Sequence, residues 1–463
     1  MEQRFEDHMS DADALMWNIE KDPLLRSTIV AVLTLDRSPV WPVLRDRIER
    51  ATWFIPRMRQ RVVTPLLRLG PPHWSADSDF DLSYHVRRVC APVPGDFDSV
   101  LELARTAAMA GFDRARPLWE FTLIEGLAGG QAAMLVKVHH SMTDGVGGLK
   151  ILMMLLDLER TPSPGRSPEP PPEPLEELTP LSLVGPALDH RRRRALGIAR
   201  RAVTGTWREA GRVIADPVGT TAGAVRVVRS VAEYLAPATT PHSPIMRERT
   251  LARGLAAFDV PLDQLKGAAR SCGSSLNDAF VAGVVGGLAR YHQFHGEPVD
   301  DLRMVMPINV RVEGDSLGGN HFTPARFLVP IGVKDPADRI AAVGERCRWI
   351  RDEPAVSLTD PLAAILNQLP TALTTSFFGA MLKGGDFVTS NVPGAPVPVY
   401  LAGARLERMY GFSPLSGTAA NVTLVSHCGT CCVGVNTDAV AIPDLERFVE
   451  DLDGGFAEIL ALA

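Results

Sequence analysis

Residues 161–180 read TPSPGRSPEPPPEPLEELTP, and the eight prolines in that stretch forbid a regular packed element. Proline locks φ and removes the backbone donor that helix and sheet both use, so the stretch is predicted to be a stiff, extended linker. The stretch is the clearest boundary in the sequence. The chain divides into a first lobe over residues 1–160, the linker over 161–180, a basic helical segment over 181–245 and a second lobe over 246–463. A total of 463 residues suits two or three domains.

Both large segments mix two periodicities. In the first, STIVAVLTL, WEFTLIEGL and AAMLVKV read as strands, while PVWPVLRDRIERATWF and VLELARTAAMAGF read as helices. In the second, TLARGLAAFDV, LRMVMPINVRV and ARFLVPIGV read as strands, and SLNDAFVAGVVGGLARYHQF and the closing IPDLERFVEDLDGGFAEILALA as helices. NVTLVSHCGTCCVGVNTD reads as a hairpin turning at Gly429–Thr430. The expected fold class is therefore mixed α/β in two lobes. At 46% hydrophobic the chain has apolar surface enough to bury a core in each.

Charge and cysteine usage narrow the partners. A net charge of −6 excludes a general nucleic-acid binder. Six irregularly spaced cysteines (Cys90, Cys272, Cys347, Cys428, Cys431 and Cys432) suit a reducing compartment rather than a disulfide framework. The opening MEQRFEDHMSDADAL is acidic and has no apolar core of a signal peptide. The longest apolar runs, LKILMMLLDL and FVAGVVGGL, fall short of the ~18 residues of a spanning helix. The expectation is a cytoplasmic protein, at most peripheral to a membrane. One block, LDHRRRRALGIARRAVTGTWREAGRVIADP, carries Arg191–Arg194 and places Leu196, Val203 and Trp207 on one helical face. It reads either as a helix lying on an anionic membrane surface or as a solvated helix over the second lobe.

The chemistry concentrates in AAMLVKVHHSMTDGVGGL, residues 132–149. Strand alternation puts His140 on a face with Val138, Val136 and Met134, and His139 on the other with Lys137. Gly145, Gly147 and Gly148 permit a tight turn, after which LKILMMLLDLER reads as a buried helix. A neutral imidazole at a strand end can take a proton from a hydroxyl near neutral pH. Only one of the two histidines can face a substrate, so the other is expected to brace the first. Asp144 either bonds the base or turns away to pin the loop through an arginine; the spacing leaves both open.

Other patterns carry less. GDSLG, Gly314–Gly318, spells a nucleophile-elbow pattern around Ser316, but a turn and a strand follow where the elbow needs a helix. HCGTCC, His427–Cys432, lacks a second distant ligand pair for a closed zinc site. GVGGLK lacks the spacing and ending of a phosphate loop. Trp119 reads as a core aromatic, and Asn277–Asp278 as the start of a helix.

HHSMTDG matches the HHxxxDG motif of the CoA-dependent acyltransferase superfamily, which includes chloramphenicol acetyltransferase and peptide-synthetase condensation domains. More closely, the chain resembles the bacterial wax ester synthase/diacylglycerol acyltransferase family. PLWEFTLIEG at Pro117–Gly126, SLNDAF around Asn277–Asp278, PINVR with GGN, and SNVPGAPVPVYLAGARL follow in that family's order, from SDADALMWNIEKDP to the last helix. The family commonly continues Asn-Val-Pro-Gly with proline, whereas Ala395 stands here before Pro396.

The resemblance implies two chloramphenicol-acetyltransferase-like lobes with the active-site channel between them. It implies transfer of a long-chain acyl group from acyl-CoA to diacylglycerol or a fatty alcohol, without cofactor or metal. His140 would be the general base, His139 its support and Asp144 a structural residue facing away from the channel. Gly145 would leave room for substrate, Pro117, Leu118 and Trp119 would shape or support the acyl path, and Asn277 and Asp278 would lie near the lobe interface. The substrates imply contact with a membrane or lipid-droplet surface. A carrier-protein-dependent condensation-type acyltransferase and a non-catalytic droplet-surface protein of the same fold stay open as alternatives.

Overall fold

The computed structural model describes residues 7–66, 70–142, 148, 152–161, 176–189, 192, 196, 240–309, 322–351 and 371–463. The first sheet is nucleated by TIVAVLTL, strand β1 (Thr28–Leu35), where β-branched residues favour an extended chain. Val30, Val32, Leu33 and Leu35 are all fully buried, because β1 is central and covered on both faces. Val30 and Val32 pack toward Val100 and Ala104 of helix Phe97–Met109, and Leu33 and Leu35 toward Leu44 and Ile48 of helix Trp41–Phe54. The other strands of this sheet are β4 (Val86–Cys90), β5 (Trp119–Glu125), β6 (Ala132–His139), β11 (Tyr400–Leu401) and β12 (Ala404–Phe412), in the order β11-β12-β1-β6-β5-β4. A separate pair, β2 (Gln60–Val63) and β3 (His73–Ala76), flanks it.

The second sheet has the order β7-β14-β13-β10-β8-β9, with β7 at Arg253–Pro261, β8 at Asp301–Asn309 and β9 at Phe322–Pro330. Its remaining strands are β10 (Phe387–Pro393), β13 (Ala420–His427) and β14 (Thr430–Asp438). Helices Leu276–Phe294 and Leu445–Leu460 cover it, and their glycines let the two backbones touch. A Cβ on Gly287 would lie 2.5 Å from the Cα of Leu452. Each such glycine costs about 1 kcal/mol of helix propensity against alanine, and close helix packing is the return.

The two halves are interlocked. β11 and β12 come from the 246–463 segment yet belong to the first sheet, with Val30 opposite Phe412 and Val32 opposite Tyr410. From there the Tyr410 hydroxyl donates to Asp259 of β7 at 2.9 Å.

Three local expectations change. The hairpin turn is Cys428–Gly429, with φ of 44° and 83° and His427 paired to Thr430, one residue earlier than Gly429–Thr430. Positive φ at both positions is the type I′ geometry that strand twist favours, and here it accommodates a cysteine. The helix expected across Leu149–Arg160 does not reach its end, since only 152 and 153 are helical in the described part and Asp157 instead forms a bridge with Tyr400. Leu158, 71% exposed, has no core to enter. The linker is docked at its far end: Glu176 accepts from the Ala76 N–H at 3.0 Å, and the Leu178 N–H donates to Ser75 Oγ at 2.7 Å. Of the basic run, Arg192 is helical and exposed, while Arg191, Arg193, Arg194 and Trp207 lie outside the described residues.

Candidate active site

Strand β6 delivers the histidine pair. Its register places His139 opposite Thr28 of β1, and alternation holds through that residue. Lys137 shares the face of His139: its ammonium is buried over the Phe112 ring and bonds Glu120 and the Gly111 carbonyl at 3.2 and 3.3 Å. Burial lowers the Lys137 pKa, with Glu120 opposing. His140 is not the strand's last residue. It opens a 3₁₀ turn, His140–Met142, so strand parity does not set its direction. Its backbone N–H donates to the Ser27 carbonyl at 2.8 Å, and its residue is partly exposed.

His139 is 2% exposed and held on every side. Its backbone N–H donates to the Leu118 carbonyl at 3.0 Å. The Ser141 backbone N–H points at Nδ1 from 3.0 Å, which makes Nδ1 the acceptor, and the Ser141 hydroxyl lies 2.7 Å from the same nitrogen. Nε2 therefore carries the proton and donates to Glu20 Oε1 at 2.8 Å. Trp17 and Phe112 meet the ring edge-on, with centroids 5.5 and 5.9 Å away.

Glu20 in turn accepts the Ser27 N–H at 2.6 Å and pairs with Arg114 at 3.2 Å. Burial would raise the Glu20 pKa, but His139, the Ser27 N–H and Arg114 outweigh it and hold the carboxyl below its usual range. Arg114 also stacks on Trp17, 4.1 Å from the ring centroid. Beside these groups lies a cleft of about 200 Å³ lined by Glu20, Lys21, Arg26, Thr28, Arg114 and His139.

The PLW residues reach the site through backbone. Leu118 and Trp119 are 0% and 1% exposed. The Trp119 indole donates to the Met58 carbonyl at 2.9 Å and stacks on His85 with centroids 4.5 Å apart. The Pro117 carbonyl accepts the Trp119 N–H at 3.0 Å. Asn277 and Asp278 stand at the start of helix Leu276–Phe294. There Asp278 and Ser275 form a reciprocal capping box, with the Ser275 N–H donating to Asp278 at 3.0 Å. The Asn277 amide points at the Met306 sulfur, 3.9 Å away. Asp144, Gly145 and Ser316 lie outside the described residues.

His427 is set between the carbonyls of Ala395 and Leu406, at 3.0 and 3.2 Å. Ala395 also accepts from the Cys428 N–H, so the residue that departs from the family pattern closes a packed loop. Among the described residues no group of three or more His, Cys, Asp or Glu could hold a metal ion. All six cysteines are free, and burial pushes Cys431 to about 12 and Cys432 to about 11.

Sequence reasoning missed Glu20, Ser27, Arg114 and Ser141. Glu20 carried one faint signal: an acidic residue ending an apolar helix, where a cation is preferred.

Known proteins agree with this architecture. Residues 9–280 match the wax ester synthase/diacylglycerol acyltransferase catalytic domain, and residues 318–460 match the C-terminal domain of the same family. A Mycobacterium tuberculosis protein provisionally assigned as a diacylglycerol O-acyltransferase is 41% identical over 99% of this chain and 93% of its own. The solved wax ester synthase/diacylglycerol acyltransferase of Marinobacter aquaeolei superposes with a TM-score of 0.63 at 21% identity, covering 98% of both chains. The first condensation domain of the calcium-dependent antibiotic synthetase superposes at 0.62 and 15% identity, over 99% of this chain and 96% of that one, a likeness of fold. The paired-histidine strand end, the two interlocked sheets and the two family domains that span them make this chain a member of the wax ester synthase/diacylglycerol acyltransferase family.

Proposed function

We propose that the chain transfers a long-chain acyl group from acyl-CoA to the hydroxyl of diacylglycerol or of a fatty alcohol, with His140 as general base. One observation carries the reading. His139 has both ring nitrogens engaged and is buried, whereas the partly exposed His140 follows it at the turn. His140 takes the acceptor's proton as its oxygen adds to the thioester carbonyl. The tetrahedral adduct then collapses, the C–S bond breaks, and the imidazolium returns the proton to the departing CoA thiolate. Neither an acyl-enzyme nor a metal enters these steps.

In this reading Asp144 braces the loop and Gly145 leaves room for substrate. Pro117, Leu118 and Trp119 support the motif from the core, and Asn277 and Asp278 set the start of a second-lobe helix. The acceptors reside in lipid, so the protein works at a membrane or droplet surface as a peripheral protein. Among the described residues no helix is long and apolar enough to cross a membrane.

The test is free-thiol release from palmitoyl-CoA by wild type and His140→Ala, with diolein and hexadecanol offered separately. Release that needs an acceptor and falls about 10²–10⁴-fold in the folded variant is expected, the usual worth of a positioned base. Near-normal turnover by folded His140→Ala overturns the assignment. An inactive wild type that accepts only a carrier-protein thioester would establish the condensation-type alternative.

A further inference from the structure

Glu20 is a carboxylate where local physics disfavours one. It caps the C-terminal end of helix Asp11–Ile19, the negative end of the helix dipole, and the last turn holds no basic residue. Its side chain is only 8% exposed. The helix dipole and desolvation both oppose its charge, and such conflicts concentrate at functional positions. What holds it there is His139, 119 positions away, together with the Ser27 N–H and Arg114.

We propose that Glu20 is a positioning residue for acyl transfer, acting through His139 on the turn that carries His140. The inference rests on His140 being the base. Glu20 Oε1 accepts from Nε2, which leaves Nδ1 unprotonated and able to accept the Ser141 N–H. That bond bends the chain back onto the His139 ring across His140, and the His140 N–H is tied to Ser27, whose own N–H is held by Glu20. One carboxylate oxygen thus fixes the turn from both sides. Arg114 occupies the other oxygen and keeps the carboxylate from rotating away.

Glu20 also sets the local field. Among the described residues, Lys21 and Arg26 from the segment after the first helix and Arg114 ahead of β5 line the cleft beside His139, and Lys137, with its partner Glu120, lies on the same face of β6 as His139. Glu20→Gln keeps a carbonyl for Ser27 and His139 but deletes a negative charge from this cationic neighbourhood. The imidazolium of the base then becomes harder to form, and the acid limb of kcat/KM moves to lower pH.

The experiment measures kcat, KM and the pH profile of kcat/KM for wild type, Glu20→Gln and Glu20→Ala, together with imidazole ¹⁵N shifts. Glu20→Ala is expected to lose about tenfold to a hundredfold in kcat with KM little changed, as for a base displaced by up to about an ångström. Glu20→Gln is expected to recover part of that loss and to shift the acid limb downward. In wild type the His139 spectrum is expected to show Nε2 protonated and Nδ1 bare, and in Glu20→Ala a mixture. A Glu20→Ala kcat within twofold of wild type, or an unshifted limb in Glu20→Gln, overturns the inference. If Glu20→Ala does not fold, the Glu20→Gln limb and spectrum decide. Should wild type release no thiol, the acyltransfer reading fails, and the ¹⁵N spectrum still reports whether Glu20 sets the tautomer; an unchanged spectrum rejects that role as well.

Discussion

Gly434 of β14 faces Gly411 of β12 so closely that a Cβ on Gly434 would lie 2.1 Å from the Gly411 carbonyl oxygen. β12 is paired edge to edge with β1 in the first sheet, so this contact is where the two sheets meet face to face. No side chain separates them, and a methyl group can be admitted only by moving a backbone.

Gly434→Ala is therefore expected to destabilise the protein by at least the 1–3 kcal/mol typical of overpacking. The loss should be read from the midpoint of urea or thermal unfolding. Gly126→Ala is a poor control because Gly126 has a φ of 79°, whereas Gly185 is helical with open space around it, so Gly185→Ala is expected to gain up to about 1 kcal/mol of helix propensity. A Gly434→Ala midpoint equal to that of Gly185→Ala would show that the sheets can part without cost.

The hairpin tip tests backbone strain with no packing contribution. Gly429 has a φ of 83° and open space where a Cβ would stand. Gly429→Ala should cost about 1–2 kcal/mol from the left-handed conformation alone. Cys428, at a φ of 44°, already bears part of that strain, and Cys428→Asn should raise the melting temperature, because asparagine tolerates this region best among non-glycine residues. Equal melting temperatures for both variants and wild type would mean the turn relaxes in solution.

Much of this fold was legible because its signals are local. β1, β5, β6, β13 and β14 announce themselves by runs of Val, Ile, Leu and Thr, and the start of helix Leu276–Phe294 by Asn277–Asp278. What was not legible is what the chain does at a distance. Nothing in ARLERMYGF says that β12 pairs with β1 rather than with its own half, since strand pairing is settled by which apolar faces meet. Nothing near His139 points to Glu20, since neither residue alters the pattern around the other. The turn offset at Cys428 has a different origin: Gly429 was visible as a turn residue, but a cysteine in the left-handed region runs against propensity and was not. The helix expected through Leu158 failed because an apolar composition cannot say whether a core is waiting.

Trp119 discriminates a packing role for the PLW stretch from a substrate-lining one. The indole is enclosed by His85, Phe121 and the Met58 carbonyl. Trp119→Phe gives up one hydrogen bond, worth about 0.5–1.5 kcal/mol, and part of the ring area. Trp119→Ala should cost about 3–5 kcal/mol. For the folded Phe variant, kcat and KM for acyl-CoA are expected within about twofold of wild type, a margin well below the effects of the base. An acyl-chain-length preference altered in Trp119→Phe with stability unchanged would instead put the ring on the acyl path.

The same ring controls a pH dependence. His85 is buried between Trp119 and Phe80, its Nδ1–H donates to the Trp119 carbonyl at 2.7 Å, and its Nε2 has no hydrogen-bond partner among the described residues. Burial lowers its pKa below the ordinary 6.5, with the Trp119 carbonyl opposing. The unfolded chain therefore binds a proton near pH 6.5 that the folded protein refuses, so stability falls as pH drops from 6.5 toward the folded value. Glu20 has the opposite chemistry and the same sign. Its folded pKa lies below the ordinary 4.5, so its contribution is present above that value and is lost as pH falls through the folded one. The two groups act in successive windows. His85→Phe, which preserves the stack, should flatten the stability profile just below pH 6.5 and leave the fall below pH 4.5 intact, whereas Glu20→Gln should do the reverse. Unfolding midpoints taken at half-unit steps from pH 7.5 to 3.5 distinguish the two. A His85→Phe profile that tracks wild type through the upper window would place that acid sensitivity at another histidine.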